Sequence, residues 1–177
     1  MKEQTKRLCV TAALLALAEV LSLLTLFPMP FGGGVTPASM LPVCLVALLY
    51  GTRWGAFSGV TFGLLQMLLG LQNFSYATSV WAVVIILLFD YLLAFGVLGL
   101  CDLFRFKTLG VAAACFLRFL CHFLSGVTVW RTLAGWDAVW YSLSYNGAYM
   151  LPELLITAGG AFLLLRTGAL EHLKKSL

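Results

Sequence analysis

Charge is scarce in this chain. Of 177 residues, Lys and Arg supply 11 and Asp and Glu only 7. Apolar residues make up 62% and the mean hydropathy is +0.99, a composition that no water-soluble domain of this size carries without aggregating. A soluble fold is excluded. The net charge of +4 calls for no nucleic acid, because the placement of the cations explains it. Catalytic signatures are missing as well: there is no Ser/His/acid arrangement, no H-E-x-x-H and no glycine-rich phosphate loop with its lysine. Only two histidines occur, His122 and His172. The cysteines at 9, 44, 101, 115 and 121 form no C-x-x-C pair and lie in or beside apolar runs. Neither a disulfide framework nor a metal site is expected from them.

What is present is a series of long apolar runs. Gly, Pro, Asn and charged residues divide them into candidate helices at 8–27, 37–51, 54–71, 79–103, 109–129 and 143–166. A crossing of the hydrocarbon layer needs about 20 apolar residues, so the length accommodates roughly six. The expected fold class is an all-α integral membrane protein with six transmembrane helices, a single domain over 1–177. The basic start at Lys2, Lys6 and Arg7 superficially resembles a signal peptide. However, the run from Leu8 to Phe27 is long enough to span, and Pro28, Met29, Pro30 and Phe31 stand where small cleavage-site residues belong.

The cations set the orientation. Lys2, Lys6, Arg7, Arg53, Arg105, Lys107, Arg166, Lys174 and Lys175 fall on one side and Arg131 on the other. The positive-inside rule then makes both termini cytoplasmic in a multi-pass cell-membrane protein. The loops at 28–36, 72–78 and 130–142 face outward. Gly32, Gly33 and Gly34 in the first read as a flexible lid or as a plain turn. Aromatic residues gather in the other two: Phe74, Tyr76 and Trp81, then Trp130, Trp136, Trp140 and Tyr141. Interfacial belts account for several of these.

Arg118, His122, Gly126 and Trp130 are four residues apart, so on a helix they form one slanting stripe. Ionisable groups inside a bilayer are costly and face a partner or a cavity, so this stripe reads as one wall of a polar pocket. Asp90, followed by Tyr91, falls in the middle of the fourth run and needs a cationic partner. Arg118 and a bound cationic ligand are both candidates, and one carboxylate can meet both. Asn146 and Glu153 share a face of the last helix, where Pro152 is a candidate bend, and Glu19 is a further acid that suits a helix-packing hydrogen bond. Acids, an arginine, a histidine, an amide, Tyr hydroxyls and Trp faces together suit a small, flat, cationic, hydrogen-bonding molecule. Ala12 and Ala16 on the first helix form a small-x-x-x-small pair where a partner helix can approach. With no ATP-binding motif and no internal repeat, a solute importer this small would need partners.

The stretch from Arg118 to Gly147, RFLCHFLSGVTVWRTLAGWDAVWYSLSYNG, resembles the signature region of the thiamine-specific S components of energy-coupling-factor vitamin transporters. DYLLAFGVLGL resembles the acidic-Tyr motif of that family's fourth helix, and GVTPASMLPVCLVALLYG its second-helix region. The resemblance implies a six-helix protein that binds thiamine from outside, needs no cofactor, and associates with a transmembrane coupling subunit and two ATPases. It assigns Asp90 and Tyr91 to the acidic motif and Arg118 to the basic position. It makes His122 and Trp130 ring contacts and Tyr141 and Asn146 the polar end, with Gly126 on the same stripe. Ala12 and Ala16 take the docking face. Some relatives have Glu for Asp90 and Lys for Arg118, and the Gly32–Gly34 run replaces a first-loop Trp, so Phe74, Tyr76 or Trp81 is the expected substitute wall. Other readings stay open: a different water-soluble vitamin or a thiamine precursor as ligand, an intramembrane enzyme using Asp90 and His122 as acid and base, or a membrane assembly protein.

Overall fold

The structure is a computed structural model that describes residues 2–129 and 137–176. It is a helical bundle in which α1 spans Glu3–Leu23, α2 Met40–Tyr50 and α3 Thr52–Leu69. Next come α4, Val80–Leu103, α5, Lys107–Thr128, and α6, Ala138–Arg166. A short amphipathic helix, α7, Ala169–Ser176, closes the described chain. Three helices, α4, α5 and α6, are long and apolar enough to cross a membrane, and α2 is a shorter apolar helix. The expected bounds hold to within a few residues except at α1, which starts at Glu3 and stops at Leu23, and at α6, which starts five residues early at Ala138. The residues after it fold back instead as a hairpin, β1 (Phe27–Pro28) paired antiparallel with β2 (Gly34–Val35).

The glycine run forms the turn of this hairpin. Gly32 and Gly33 adopt φ of +93° and +78°, left-handed values that residues with a Cβ rarely adopt. These glycines build a specific turn. At Gly33 a Cβ would also sit 2.8 Å from the Tyr149 ring.

Helix contacts depend on small residues. Gly55, Gly59 and Gly63 repeat every fourth position on α3, so they line one face. Added Cβ atoms at Gly59 and Gly63 would strike the Phe95 and Tyr91 carbonyl oxygens of α4. The two backbones thus approach closely, as small-x-x-x-small faces allow. The buried core of Val43, Cys44, Phe62, Ile86, Leu98 and Val111 fills the remaining space. Helix α6 continues through Pro152, which leaves one hydrogen bond of the helical ladder unmade.

Both ends of the described chain meet. Lys6 Nζ donates to the Ser176 carbonyl oxygen at 2.9 Å, and Arg7 donates to the Tyr50 carbonyl oxygen at 3.3 Å. Lys6, Arg7, Arg53, Lys174 and Lys175 therefore lie towards one end of the bundle. A large cavity occupies the other.

Candidate functional site

Residues of α1, α3, α4, α5 and α6, together with the hairpin segment between α1 and α2, enclose a cavity of ≈ 430 Å³. Helix α5 contributes the stripe read from the sequence: Arg118, His122 and Gly126 all line it. Trp130, the stripe's fourth member, lies outside the described residues, as do Arg131 and Trp136. Asp90, Tyr91, Tyr141 and Asn146 line the same cavity, so every expected binding residue that is described converges there.

Asp90 and Tyr91 enter from a π-helical stretch of α4, Ile86–Leu92. The widened turn displaces them from ordinary helical register, a local irregularity that recurs at functional sites. The Asp90 carboxylate meets His122 Nδ1 at 3.1 Å through Oδ1 and accepts from Ser125 Oγ at 2.7 Å through Oδ2. Arg118 is not its partner, contrary to one of the two expectations. The guanidinium Nη1 lies 3.2 Å from Glu153 Oε2, contacts Met40 Sδ at 2.8 Å and packs 4.5 Å from the Phe95 ring centroid. Glu153, on α6, reaches the depth of Arg118, while His122, one turn further along α5, reaches that of Asp90.

The charge balance of the cavity follows from this pairing. Among the described residues its charged lining residues are Asp90, Glu153 and Arg118. Arg118 pairs with Glu153, and the described side chains that Asp90 meets are the His122 imidazole and the Ser125 hydroxyl. Two nitrogens on the same wall, His122 Nε2 and Arg118 Nε, are buried with no hydrogen-bond partner among the described residues. In the tautomer that donates from Nδ1 to Asp90, His122 Nε2 is an acceptor for a donor N–H. Among the described residues the cavity thus offers a carboxylate with no Lys or Arg against it beside an unused acceptor.

Aromatic walls come mainly from tyrosines. Tyr141, Tyr145 and Tyr149 of α6 line the cavity, with Tyr141 and Tyr145 stacked at 5.6 Å. Tyr145 Oη accepts from the Phe31 N–H and donates to the Gly32 carbonyl oxygen, both at 2.9 Å, pinning the hairpin over the cavity. Phe74, Tyr76 and Trp81 do not form the expected substitute wall. Phe74 stacks on Tyr91 at 5.9 Å and Tyr76 packs edge-on against Phe31, outside the cavity lining, while Trp81 is 76% exposed.

Two expected residues have structural work of their own. The Asn146 side-chain amide donates to the Ser142 carbonyl oxygen at 3.0 Å and accepts from Tyr149 Oη at 3.1 Å. Tyr91 Oη accepts from Asn73 at 3.0 Å and donates to the Gly70 carbonyl oxygen at 3.1 Å. Gly126 is where α5 and α6 approach, since a Cβ there would collide with Ser142 Oγ and lie 3.1 Å from Asn146 Nδ2.

With this geometry in place, comparison with known proteins is informative. The sequence profile of the thiamine transporter protein family (Thia_YuaJ) matches residues 8–171. The chain belongs to this thiamine transporter family. The thiamine transporter ThiT of Bacillus subtilis (strain 168) is 31% identical, the alignment covering 88% of each chain. The solved structure of ThiT from Listeria monocytogenes superposes with a TM-score of 0.74 over 95% of this chain and 97% of its own, at 23% identity, which establishes a shared fold. The family consists of transporters rather than enzymes, which removes the acid–base catalyst reading of Asp90 and His122.

Membership of a thiamine transporter family also casts light on residues that sequence reasoning left out of the site. Glu153 was recognised as an intramembrane acid, yet its role needed the fold: besides pairing with Arg118 it accepts from the Thr36 backbone N–H at 2.9 Å and from the Thr36 hydroxyl. It ties the hairpin to the cavity floor. Gln66, also a lining residue, donates to both Glu19 carboxylate oxygens at 2.9 and 3.1 Å, so Glu19 is a packing acceptor between α1 and α3. Tyr145 stood out in the sequence only by clustering with Tyr141 and Asn146 beside the last aromatic loop, and Tyr149 was marked by no motif.

Proposed function

We propose that this chain is the thiamine-binding S component of an energy-coupling-factor importer, capturing thiamine from the extracellular side of the cell membrane. The observation that carries the reading is the cavity's charge balance: one carboxylate, Asp90, with no Lys or Arg among its contacts with the described residues. Thiamine has a permanently cationic thiazolium and an aminopyrimidine rich in donors and acceptors. Asp90 supplies countercharge, His122 Nε2 accepts an N–H, and the tyrosines and Trp130 supply ring faces. The names of the relatives agree with this ligand.

The six helices cross the membrane with both termini cytoplasmic, as the positive-inside rule requires. The cavity then opens outward beneath the hairpin. Ala12 and Ala16 are exposed on α1 while Thr11, Leu15 and Ala18 face the core. This leaves the small-residue face free for a transmembrane coupling subunit, which carries two ATPases.

Two experiments test the parts separately. Mass spectrometry of ligand co-purified in mild detergent should identify thiamine; a different vitamin or a thiamine precursor in stoichiometric amount would overturn the ligand. Replacing Ala12 and Ala16 by Leu should abolish uptake and co-purification of a coupling subunit while leaving thiamine affinity at the parental value. Uptake at the parental rate would overturn the docking face.

A further inference from the structure

A second cavity, of ≈ 320 Å³, lies at the opposite end of the bundle, where α1, α2 and α7 meet. Lys6, Arg7 and Lys174 line it together with Tyr50, and among the described residues Glu3 is the one lining carboxylate. Glu171 reaches Lys174 at 3.5 Å, but along the exposed side of α7, where such a pair is weak.

The cations are held in place. The Arg7 guanidinium is 4.0 Å from the Trp54 ring centroid and 5.2 Å from that of Tyr50, which fixes its plane. Trp54 is itself anchored by donating to Thr11 Oγ1 at 2.9 Å. Yet Arg7 Nε and the Tyr50 hydroxyl are buried with no hydrogen-bond partner among the described residues. Buried donors left unmet are costly and call for an acceptor. An ordered guanidinium, two ammonium groups and a phenol around one crevice match a tetrahedral oxyanion.

The surroundings favour a lipid as the bearer of that anion. Leu8 and Phe57, neighbours of Arg7 and Trp54 in sequence, are 56% and 65% exposed, apolar surface on which acyl chains can lie. Basic crevices between membrane helices hold anionic headgroups in this way. We propose that this crevice binds a phosphate group, carried by an anionic phospholipid or free in solution.

The test uses the full chain, delipidated in mild detergent. Native mass spectrometry is run with added phosphatidylglycerol or phosphatidylcholine, and a thermal-shift series with inorganic phosphate. A lipid source predicts about tenfold preference for phosphatidylglycerol, the scale of a charge-assisted hydrogen bond, lost in Arg7→Gln. A free-phosphate source predicts thermal stabilisation by inorganic phosphate, lost in the same variant. Lys174→Gln, on an exposed side chain, should lower either signal without disturbing packing, and circular dichroism confirms its fold. Equal retention of the two lipids together with no phosphate stabilisation overturns the proposal, as does parental binding by both variants.

Discussion

Replacing Asp90 by Asn removes one charge and almost no volume. In the parent, Oδ1 faces His122 Nδ1 at 3.1 Å and Oδ2 accepts from Ser125 at 2.7 Å. The amide keeps both contacts if its oxygen takes the imidazole N–H and its nitrogen donates to a turned Ser125 hydroxyl. The fold should therefore survive with at most about 1 kcal/mol lost, the net worth of one neutral hydrogen bond. Ligand binding is a different matter. An interaction with a charged group contributes about 1.5–3 kcal/mol, and roughly 1.4 kcal/mol is tenfold in affinity, so thiamine should bind about 10- to 150-fold more weakly. The assay is calorimetric titration of parent and Asp90→Asn with thiamine and with an uncharged isostere in which carbon replaces the thiazolium nitrogen. The isostere should lose much less between the two proteins, because it never used the charge. An equal fold-loss for both ligands, or no loss for thiamine, would refute the assignment of Asp90 as countercharge.

Other substitutions probe the frame around the ligand. Arg118→Ala should destabilise the protein by about 3–5 kcal/mol in thermal unfolding, because it strands the buried Glu153 carboxylate; a change within error would show that the pair contributes nothing. Gly126→Ala should cost about 1–3 kcal/mol by overpacking against Ser142, and thiamine affinity should fall with it as the α5–α6 wall shifts. Tyr145→Phe removes both hydrogen bonds that hold the hairpin and should speed thiamine release and proteolysis between residues 24 and 36; parental rates of both would mean that the hairpin is held by other contacts.

Much of the fold was legible because bilayer helices are written as long apolar runs, and turn residues stand out sharply between them. The hairpin was not. Strands of two residues, one of them containing Pro28, have no detectable alternation. The repeat of Gly55, Gly59 and Gly63 was present in the sequence and is the clearest signal left unread; it fixes how closely α3 approaches α4.

Within the site, the four-residue spacing of Arg118, His122 and Gly126 sufficed to place them on one wall. Periodicity gives the face of a helix but not the depth at which a neighbouring helix presents its acid. For that reason Arg118 was offered to Asp90 when Glu153 is its partner. The π-helical stretch at Ile86–Leu92 was equally hidden, since it departs from the period on which helical reading rests. Tyr145 and Tyr149 gave little warning because tyrosines near a membrane surface are common, and only the folded hairpin shows what Tyr145 holds.

The central claim is that the cavity lined by Asp90 and His122 is a thiamine site. Its most direct test is calorimetric titration of the purified, ligand-free chain with thiamine, pyridoxine, riboflavin and biotin in parallel. The account predicts saturable one-to-one binding of thiamine and no measurable binding of the other three. Absence of thiamine binding, or tighter binding of any of the others, would contradict it.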